Sequence, residues 1–344
     1  MRHGNSFARR RFNQILGVLK EFSLKIVRKC EGLPLAIVAI SGLLSTKNKI
    51  VSEWEKFYSS LSFELQRSPH LTSIRKIILL SYYDLPYYLK SCFLYLSIIP
   101  EDFSICRGRL IRLWIAEGFV KPERGKTLEE VAEEYLTELI RRSLVQVTKL
   151  KFGESRTRTC RVHDLILEII VSKSEELSFC QIIEEDSSFD GQSRRLSFHN
   201  SVHNVLETIG MLRIRSCFIF KVDDQLPKPF LGTLFSKFKL LKVLDLEGAP
   251  LDDLSKDVGM LFQLRYLSIR DTKVKVLPKS IGKLYNLQNL DLKFSLVDEL
   301  PIEINKLYKL RHLLAFKNNL YVNKVIDVTR GVKVHEGIGH LKKL

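Results

Sequence analysis

A leucine that recurs at a fixed interval constrains the fold of this chain more than any other feature. It occurs at Leu241, Leu264, Leu287 and Leu310, and 23 residues separate each from the next. Each begins a similar short segment, as in Leu-Lys-Val-Leu-Asp-Leu. Such a segment is the strand of a leucine-rich repeat, whose unit has about 20 to 29 residues. Stacked repeats share a core and expose a long curved surface, which indicates partner binding rather than catalysis.

Alternation along each strand predicts which side chains face the core and which face outward. In the second repeat, Leu267 and Ile269 are expected to point into the core. Tyr, Arg and Phe are frequent anchors at protein interfaces. We therefore predict that a concave face of the repeats binds a partner through Tyr266, Ser268, Arg270, Asn289, Asp291, Lys293, His312 and Phe316.

The repeat array is expected to be irregular at its start and incomplete at its end. Residues 194–198 and 214–220 have the pattern of two degenerate repeat strands. Leu344 occupies the first leucine position of a further unit. Because a solenoid normally ends in a polar capping unit, we expect the array to stop inside a repeat.

The first half of the chain has helical patterns followed by a hairpin. Residues 13–30 have apolar side chains at helical spacing, and Pro34 suits the first position of a second helix. Further helices are predicted after Pro86 and around Trp114, and the second of these is expected to stop near Gly118. Thr127-Leu-Glu-Glu130 has the pattern of a capping box. It opens the third helix of a group that begins after Pro86. Two strands, at 144–150 and 158–162, complete the arrangement of a winged helix.

The predicted fold is therefore multi-domain. A mostly α-helical subdomain and a winged helix precede an α/β leucine-rich-repeat solenoid. We place the helical part at 1–70, the winged helix at 71–176, a linker at 177–192 and the repeats at 193–344.

The net charge of +16 leaves the nature of the partner open. A basic excess is typical of proteins that bind nucleic acid or an acidic surface. The predicted third helix of the winged helix, however, carries five glutamates, which phosphates would repel. Nucleic acid is therefore an unfavoured partner. The glutamates are Glu129, Glu130, Glu133, Glu134 and Glu138.

The remaining composition is that of an intracellular protein. The six cysteines form no Cys-x-x-Cys pair and no zinc-binding pattern, so we expect reduced thiols and no metal. No apolar run approaches the ~18 residues of a membrane span. The N-terminus has no apolar stretch long enough for a secretory signal. We expect a cytoplasmic location.

Several motifs occur in an order that identifies a family. Gly32-Leu-Pro-Leu-Ala36 is followed by Leu80-Ser-Tyr-Tyr-Asp-Leu-Pro86, and then by the segments 92–103 and 110–120. Val162-His-Asp164 precedes the repeats. This order resembles plant intracellular immune receptors of the coiled-coil, nucleotide-binding, leucine-rich-repeat type. The resemblance covers the chain from about residue 20 and implies such a receptor truncated at both ends.

The resemblance implies a nucleotide switch, in which ADP holds the receptor closed and exchange for ATP opens it. It assigns nucleotide contacts to Gly32, Pro34 and Leu35 in the first motif, and to His163 and Asp164 in the last. Val162 stands where the family usually has Met. Two bland interpretations remain: Gly32 and Pro34 could simply separate two helices, and Asp164 could be only a helix N-cap.

The phosphate-binding loop of such a switch is missing from the sequence. No Gly-x-x-x-x-Gly-Lys-Ser/Thr pattern occurs, and this loop supplies the backbone N–H groups and the lysine that hold the phosphates. We therefore expect weak or absent binding of ADP and ATP.

The expected function is that of an immune receptor, or part of one, in the defence response. Its partners would be a pathogen effector or a host guard protein, with self-association or a full-length receptor as further candidates. No arrangement of nucleophile and base, or of paired carboxylates, predicts catalysis. Two alternatives stay open: a basic winged-helix protein that binds nucleic acid, and a signalling-dead decoy or regulatory partner of full-length receptors.

Overall fold

The computed structural model describes residues 17–28, 30, 34–67, 73–101, 103–152, 155–184, 191–199, 213–220, 228–318 and 329–336. The first region is a helical bundle. Its helices are α1 (17–28), α2 (Pro34–Ser45), α3 (Val51–Arg67) and α4 (Ser73–Tyr83). The predicted helix at 13–30 is confirmed over α1, and the predicted start of α2 at Pro34 is confirmed. The helix α3 was not predicted.

Two close contacts join this bundle to the winged helix. A methyl group at Gly42 in α2 would lie 2.9 Å from the Cα atom of Arg142 and closer still to its carbonyl group, so only glycine fits there. The helix α4 packs into both regions, because Ile77 belongs to the core of the bundle and Ile78 to the core of the winged helix. The helix α4 thus forms a packed junction between the two regions, and residue 70, where we predicted the boundary, lies outside the described residues.

The winged helix consists of helices around a small antiparallel sheet of order β1-β3-β2. Its helices are α5 (Tyr87–Leu94), α6 (Arg107–Glu117), α7 (Leu128–Arg141) and α8 (Asp164–Glu176), with a 3-10 turn at Tyr95–Ile98. Its strands are β1 (Ile105–Cys106), β2 (Gln146–Phe152) and β3 (Ser155–Arg161).

The predicted helix signals in this domain are confirmed. Gly118 ends α6 in the left-handed region, with a φ of 86°. At the start of α7, the Thr127 side chain accepts the Glu130 N–H at 3.2 Å, and the Glu130 carboxylate accepts the Thr127 N–H at 2.7 Å. This is the reciprocal pattern of a capping box.

The repeats form one sheet of seven parallel strands in chain order. The strands are β4 (Gln181–Ile183), β5 (Arg195–His199), β6 (Ser216–Phe220), β7 (Val243–Asp245), β8 (Tyr266–Ser268), β9 (Asn289–Asp291) and β10 (His312–Leu314). A helix α9 (Lys228–Lys237) lies between β6 and β7. The two degenerate strands are confirmed as β5 and β6. The linker predicted at 177–192 is wrong, because it contains β4, which pairs with β5.

The recurring leucines form the repeat core. Leu241, Leu264, Leu287 and Leu310 are all 0% exposed. Short 3-10 turns on the outer side of the array begin at Lys256, Lys279 and Ile302. They pack so closely that a methyl group at Gly259 or Gly282 would lie 2.9 Å or less from atoms of the next unit. This spacing explains why successive units stack in register.

One backbone position recurs in an unusual conformation. Gly248, Asp271 and Phe294 stand 23 residues apart, just after three successive strands. Their φ angles are 70°, 54° and 61°, all in the left-handed region. This region suits glycine, is tolerated by aspartate and is rare for a bulky residue. Phe294 nevertheless adopts it, with its ring 5.2 Å from that of Phe316 and the Arg270 guanidinium 5.0 Å from its centre.

The array ends, within the described residues, in a small antiparallel pair. Its strands are β11 (Phe316–Asn318) and β12 (Thr329–Gly331). Leu344, on which the expectation of an incomplete array rests, lies outside the described residues.

The winged helix and the strand face of the repeats share a single core. Phe218, Phe220, Val243 and Tyr266 of the repeats pack in the same cluster as the winged-helix residues. The Phe218 ring lies 5.9 Å from that of Tyr95 in the winged helix. The opposite side of the same strands packs into the repeat core. The strands from β6 to β9 are therefore buried on both faces.

Candidate functional site

The face that we predicted to bind a partner is largely covered by the winged helix. Tyr266, Ser268, Asn289 and Asp291 point away from the repeat core, as predicted, but are 0%, 1%, 2% and 1% exposed. The helix α6 contacts β7 and β8 at this face. The expectation that these four side chains are accessible is wrong for this conformation. Their role in partner binding remains a prediction.

Arg109 of α6 makes the central polar contact of this interface. Its Nε and Nη2 atoms donate to one oxygen of Asp245 at 3.1 and 2.7 Å, and it also pairs with Glu247. Burial lowers the pKa of the guanidinium, but the two carboxylates more than offset this and hold the pKa above its ordinary value. The cation is therefore fixed in its charged form. Removal of either partner would leave an unpaired buried charge.

A second buried pair lies at the end of α6. The Arg195 guanidinium donates two hydrogen bonds of 3.1 Å to the Glu117 carboxylate, which also accepts a bond from the Ser216 hydroxyl. Arg195 stacks on Phe179 at 4.1 Å and on Phe119 at 5.1 Å. Because this bidentate pair is enclosed by rings, it fixes both the distance and the angle between α6 and β5.

A third contact joins α7 to the other end of the array. Glu129 accepts a bond of 3.1 Å from the Arg311 Nε atom and lies 3.0 Å from the His312 Nε2 atom. Burial raises the pKa of the Glu129 carboxyl, but the hydrogen bonds from Arg311 and His312 outweigh it and lower the pKa overall. Glu129 is therefore ionised at neutral pH and draws the array onto α7.

The other predicted contact residues are half-buried at the margin of the face. Arg270 pairs with Glu247 at 3.0 Å. Burial, together with the nearby Arg270 and Arg112, lowers the pKa of Lys293, and the Lys293 ammonium lies 5.5 Å from the centre of the Phe316 ring. Four residues of the predicted face thus keep part of their surface in solvent in this conformation, and they are Arg270, Lys293, His312 and Phe316.

The residues of the first nucleotide motif are only partly described. Gly32 lies outside the described residues. Pro34 and Leu35 are the first two residues of α2. The helix α4 packs against both α2 and α8, so it connects the helices that follow the two motifs. No hydrogen bond or ion pair within the described residues joins α2 to His163.

His163 is the N-cap of α8. Its Nδ1 atom accepts the Leu165 N–H at 3.3 Å, and the Asp164 carboxylate pairs with Arg161 at 3.2 Å as the first helical residue. The interpretation of Asp164 as the N-cap is therefore wrong by one residue. The bond to Leu165 leaves Nε2 as the imidazole atom that could meet a phosphate.

An acidic cleft beside Asp164 disfavours a nucleotide. The cleft has a volume of about 790 Å³ and lies between α8, the turn after Ile98 and the first repeat strands. Five carboxylates line it against the single guanidinium of Arg75, and they belong to Glu101, Asp164, Glu168, Glu175 and Glu184. Phosphate groups would be repelled by these carboxylates. His163 does not line this cleft, and among the described side chains of the two motifs it alone offers a nitrogen to a phosphate.

The interface residues on α6 were missed at the level of the sequence. Arg109, Arg112 and Glu117 are charged residues of α6, and the other residues from Leu110 to Ala116 are all apolar. Charged side chains on the buried side of a helix require partners. This signal alone predicts a charged counterpart elsewhere in the chain.

Two regions match known families. Residues 98–170 match the family described as disease resistance protein winged helix domain, and residues 213–344 match a leucine-rich repeat region. These ranges agree with the winged helix and the repeats described above. No described helix has the length and apolarity that crossing a membrane requires.

Similar proteins are disease-resistance proteins of plants. The chain is 38% identical to disease resistance protein RPM1 of Arabidopsis thaliana over 250 residues, which are 72% of this chain and 26% of that protein. It is 36% identical to a putative late blight resistance protein homolog, R1B-14, of Solanum demissum, over 76% of this chain and 20% of that protein. The chain thus spans only about a quarter or less of the length of these relatives.

Proposed function

Because the chain belongs to the family of plant disease-resistance proteins, we propose that it acts as an immune receptor, or as part of one, in the defence response. The relatives named above support this role. The proposed partner is a pathogen effector or a host protein on which an effector acts. The proposed location is the cytoplasm, where such a partner would be met. Full-length receptors and further copies of the chain are additional candidate partners.

The observation that carries the proposal is the closed contact between the winged helix and the strand face of the repeats. A partner bound to the strand face of the repeats would lie next to the winged helix, which packs on the same sheet. The affinity for the partner and the packing of the winged helix would therefore depend on each other. A partner that prefers the open face would shift the molecule towards release of α6. The buried pairs of Arg109 and Glu117 set the free energy that such a partner must supply.

We further propose that this chain binds ADP or ATP weakly or not at all. His163 offers one ring nitrogen, and the neighbouring cleft is acidic. Nucleotide, when bound, would supply the switch between closed and open states; the chain's own part is to hold α8 and its cap in place. Isothermal titration of the purified chain with ADP tests this. Micromolar affinity would overturn the expectation.

Disruption of the gene in its plant tests the immune role. We expect the disrupted plants to become more susceptible to at least one pathogen isolate, and the wild-type chain to restore resistance. A Leu267→Asp chain should fail to restore it, because Leu267 is fully buried in the repeat core. Val276→Asp is the matched control, since Val276 is 69% exposed. Unchanged growth of all isolates in the disrupted plants would contradict the proposal.

A further inference from the structure

The residues that immediately precede the strands of the repeat sheet form a cationic ladder. Before β5 to β10 these residues are Arg194, Arg215, Lys242, Arg265, Gln288 and Arg311. Each of the five after Arg194 donates its backbone N–H to the carbonyl oxygen of the one before, over 2.6 to 2.8 Å. We call the five basic members the cationic ladder. Since neighbouring strands lie about 4.8 Å apart, the ladder places like charges close together along one edge of the sheet.

The pKa of Lys242, the middle member of the cationic ladder, reflects the close packing of cations. Burial lowers the pKa of the Lys242 ammonium, and the guanidinium groups of Arg265 and Arg215 on either side lower it further. Like charges at this distance repel one another. An anion placed between them would remove the repulsion, so this edge is electrostatically prepared for an anionic ligand.

The molecule already satisfies part of the ladder from within. Arg311 takes the carboxylate of Glu129, and Arg265 donates to the Ala116 carbonyl oxygen at 3.4 Å. Within the described part of the chain, no carboxylate lies within ion-pair distance of Arg194, Arg215 or Lys242. Arg195, the neighbour of Arg194, is by contrast fully paired with Glu117. Three successive cations thus remain reachable from solvent and, among the described residues, without a carboxylate at ion-pair distance; the Glu117 carboxylate, which binds Arg195, acts on Lys242 only from farther away.

We propose that Arg194, Arg215 and Lys242 form a docking site for an acidic polypeptide segment of a partner protein. The Arg311–Glu129 contact shows that this ladder accepts a carboxylate carried by a polypeptide. In an extended segment, side chains on one face recur about every 6.6 to 6.8 Å, which allows alternate carboxylates to meet successive cations. The inference deepens the proposed function and rests on it for the expectation that the ligand is a protein.

Exposed aromatic residues extend the same edge. Phe262, Tyr285 and Tyr308 stand three residues before Arg265, Gln288 and Arg311, and are 52%, 54% and 69% exposed. Aromatic rings next to cations supply apolar anchors for a peptide whose charges the ladder fixes. The end of the acidic segment that lies over the later repeats would therefore also carry apolar side chains.

Fluorescence anisotropy with a labelled peptide tests the proposal on the full chain. The probe is a short peptide of alternating glutamate and glycine, and the comparison is the same peptide with glutamine. We expect binding of the acidic probe only, weakening as salt is added. The triple substitution Arg194→Gln, Arg215→Gln and Lys242→Gln should weaken binding by about tenfold or more.

The matched control changes three lysines on the outer turns. Lys275, Lys279 and Lys283 are exposed, and their replacement by Gln lowers the net charge equally. This variant should bind like the wild type, and Lys242→Arg should retain binding even if the triple variant folds poorly. Equal loss in the control, equal binding of the glutamine peptide, or tighter binding of a single-stranded oligonucleotide would each overturn the proposal. Because the assay uses no plant and no pathogen, its failure leaves the immune role to be judged by the gene disruption alone.

Discussion

The contact between α6 and the repeats depends, at the scale of residues, on Arg109. We predict that Arg109→Met lowers the free energy of unfolding by about 3–5 kcal/mol, because it leaves the buried carboxylates of Asp245 and Glu247 without their cation. Chemical denaturation measures this change. Arg107→Met on the same helix is the control and should cost about 1 kcal/mol or less, since its partner Glu133 is 42% exposed. Equal effects of the two substitutions would contradict the role given to Arg109.

Glu129 predicts a pH dependence at the other end of the interface. Its folded-state pKa lies below the ordinary value of 4.5, so its contact with Arg311 contributes stability above that value. The contribution disappears as pH falls through the lowered pKa. Glu129→Gln should therefore lower the melting temperature at pH 7, and this effect should shrink progressively as the pH falls below 4.5. A difference that stays constant over this range would refute the assignment, and Glu123→Gln serves as the exposed control.

At the same scale, the sequence predicted which side chains leave the repeat core but not what covers them. Tyr266 and Asp291 point away from the core because of strand alternation, and this was predictable. Their burial depends on contact with α6, more than a hundred residues earlier, and alternation contains no information on such a contact. The observed N-cap of α8 lies one residue before the predicted one, because the His163 imidazole caps the helix and the Asp164 carboxylate does not.

At the scale of elements, the closest approach is that of α2 to the end of α7. We predict that Gly42→Ala lowers the free energy of unfolding by about 1–3 kcal/mol, because the added methyl group overlaps the backbone of Arg142. Gly232→Ala in α9 is the matched control. No atom lies within 4 Å of the added methyl group there, so helix propensity should stabilise α9 by about 0.5–1 kcal/mol. Thermal unfolding of both variants measures these changes in stability. A Gly42→Ala variant as stable as the wild type would contradict the close approach of α2 to Arg142.

Element types were predictable where the local signal is strong. The capping box at Thr127 and the left-handed Gly118 fix the ends of two helices within a few residues. The strand β4 was missed because it is short and flanked by an acidic run, and it becomes a strand by pairing with β5. Tertiary pairing of this kind overrides local composition.

At the scale of the whole molecule, the winged helix and the repeats should unfold together. Phe218 is 2% exposed and belongs to the core that both regions share. Phe218→Ala should cost about 3–5 kcal/mol and should raise hydrogen exchange in α6 and β6 alike. Phe262→Ala, at an exposed position, should change stability by about 0.5 kcal/mol or less. Two separate calorimetric transitions for winged helix and repeats would show instead that they are independent.

The recurring left-handed turn has a consequence for how such an array can change during evolution. Repeats lengthen and shorten through unequal recombination, which treats units as interchangeable copies. Gly248 and Asp271 tolerate the turn by themselves, whereas Phe294 adopts it beside Phe316 and Arg270. A crossover that moved the third turn one unit earlier would separate Phe294 from those neighbours and leave about 1–3 kcal/mol of strain without compensation. The backbone of one turn thereby restricts the registers in which this array can recombine.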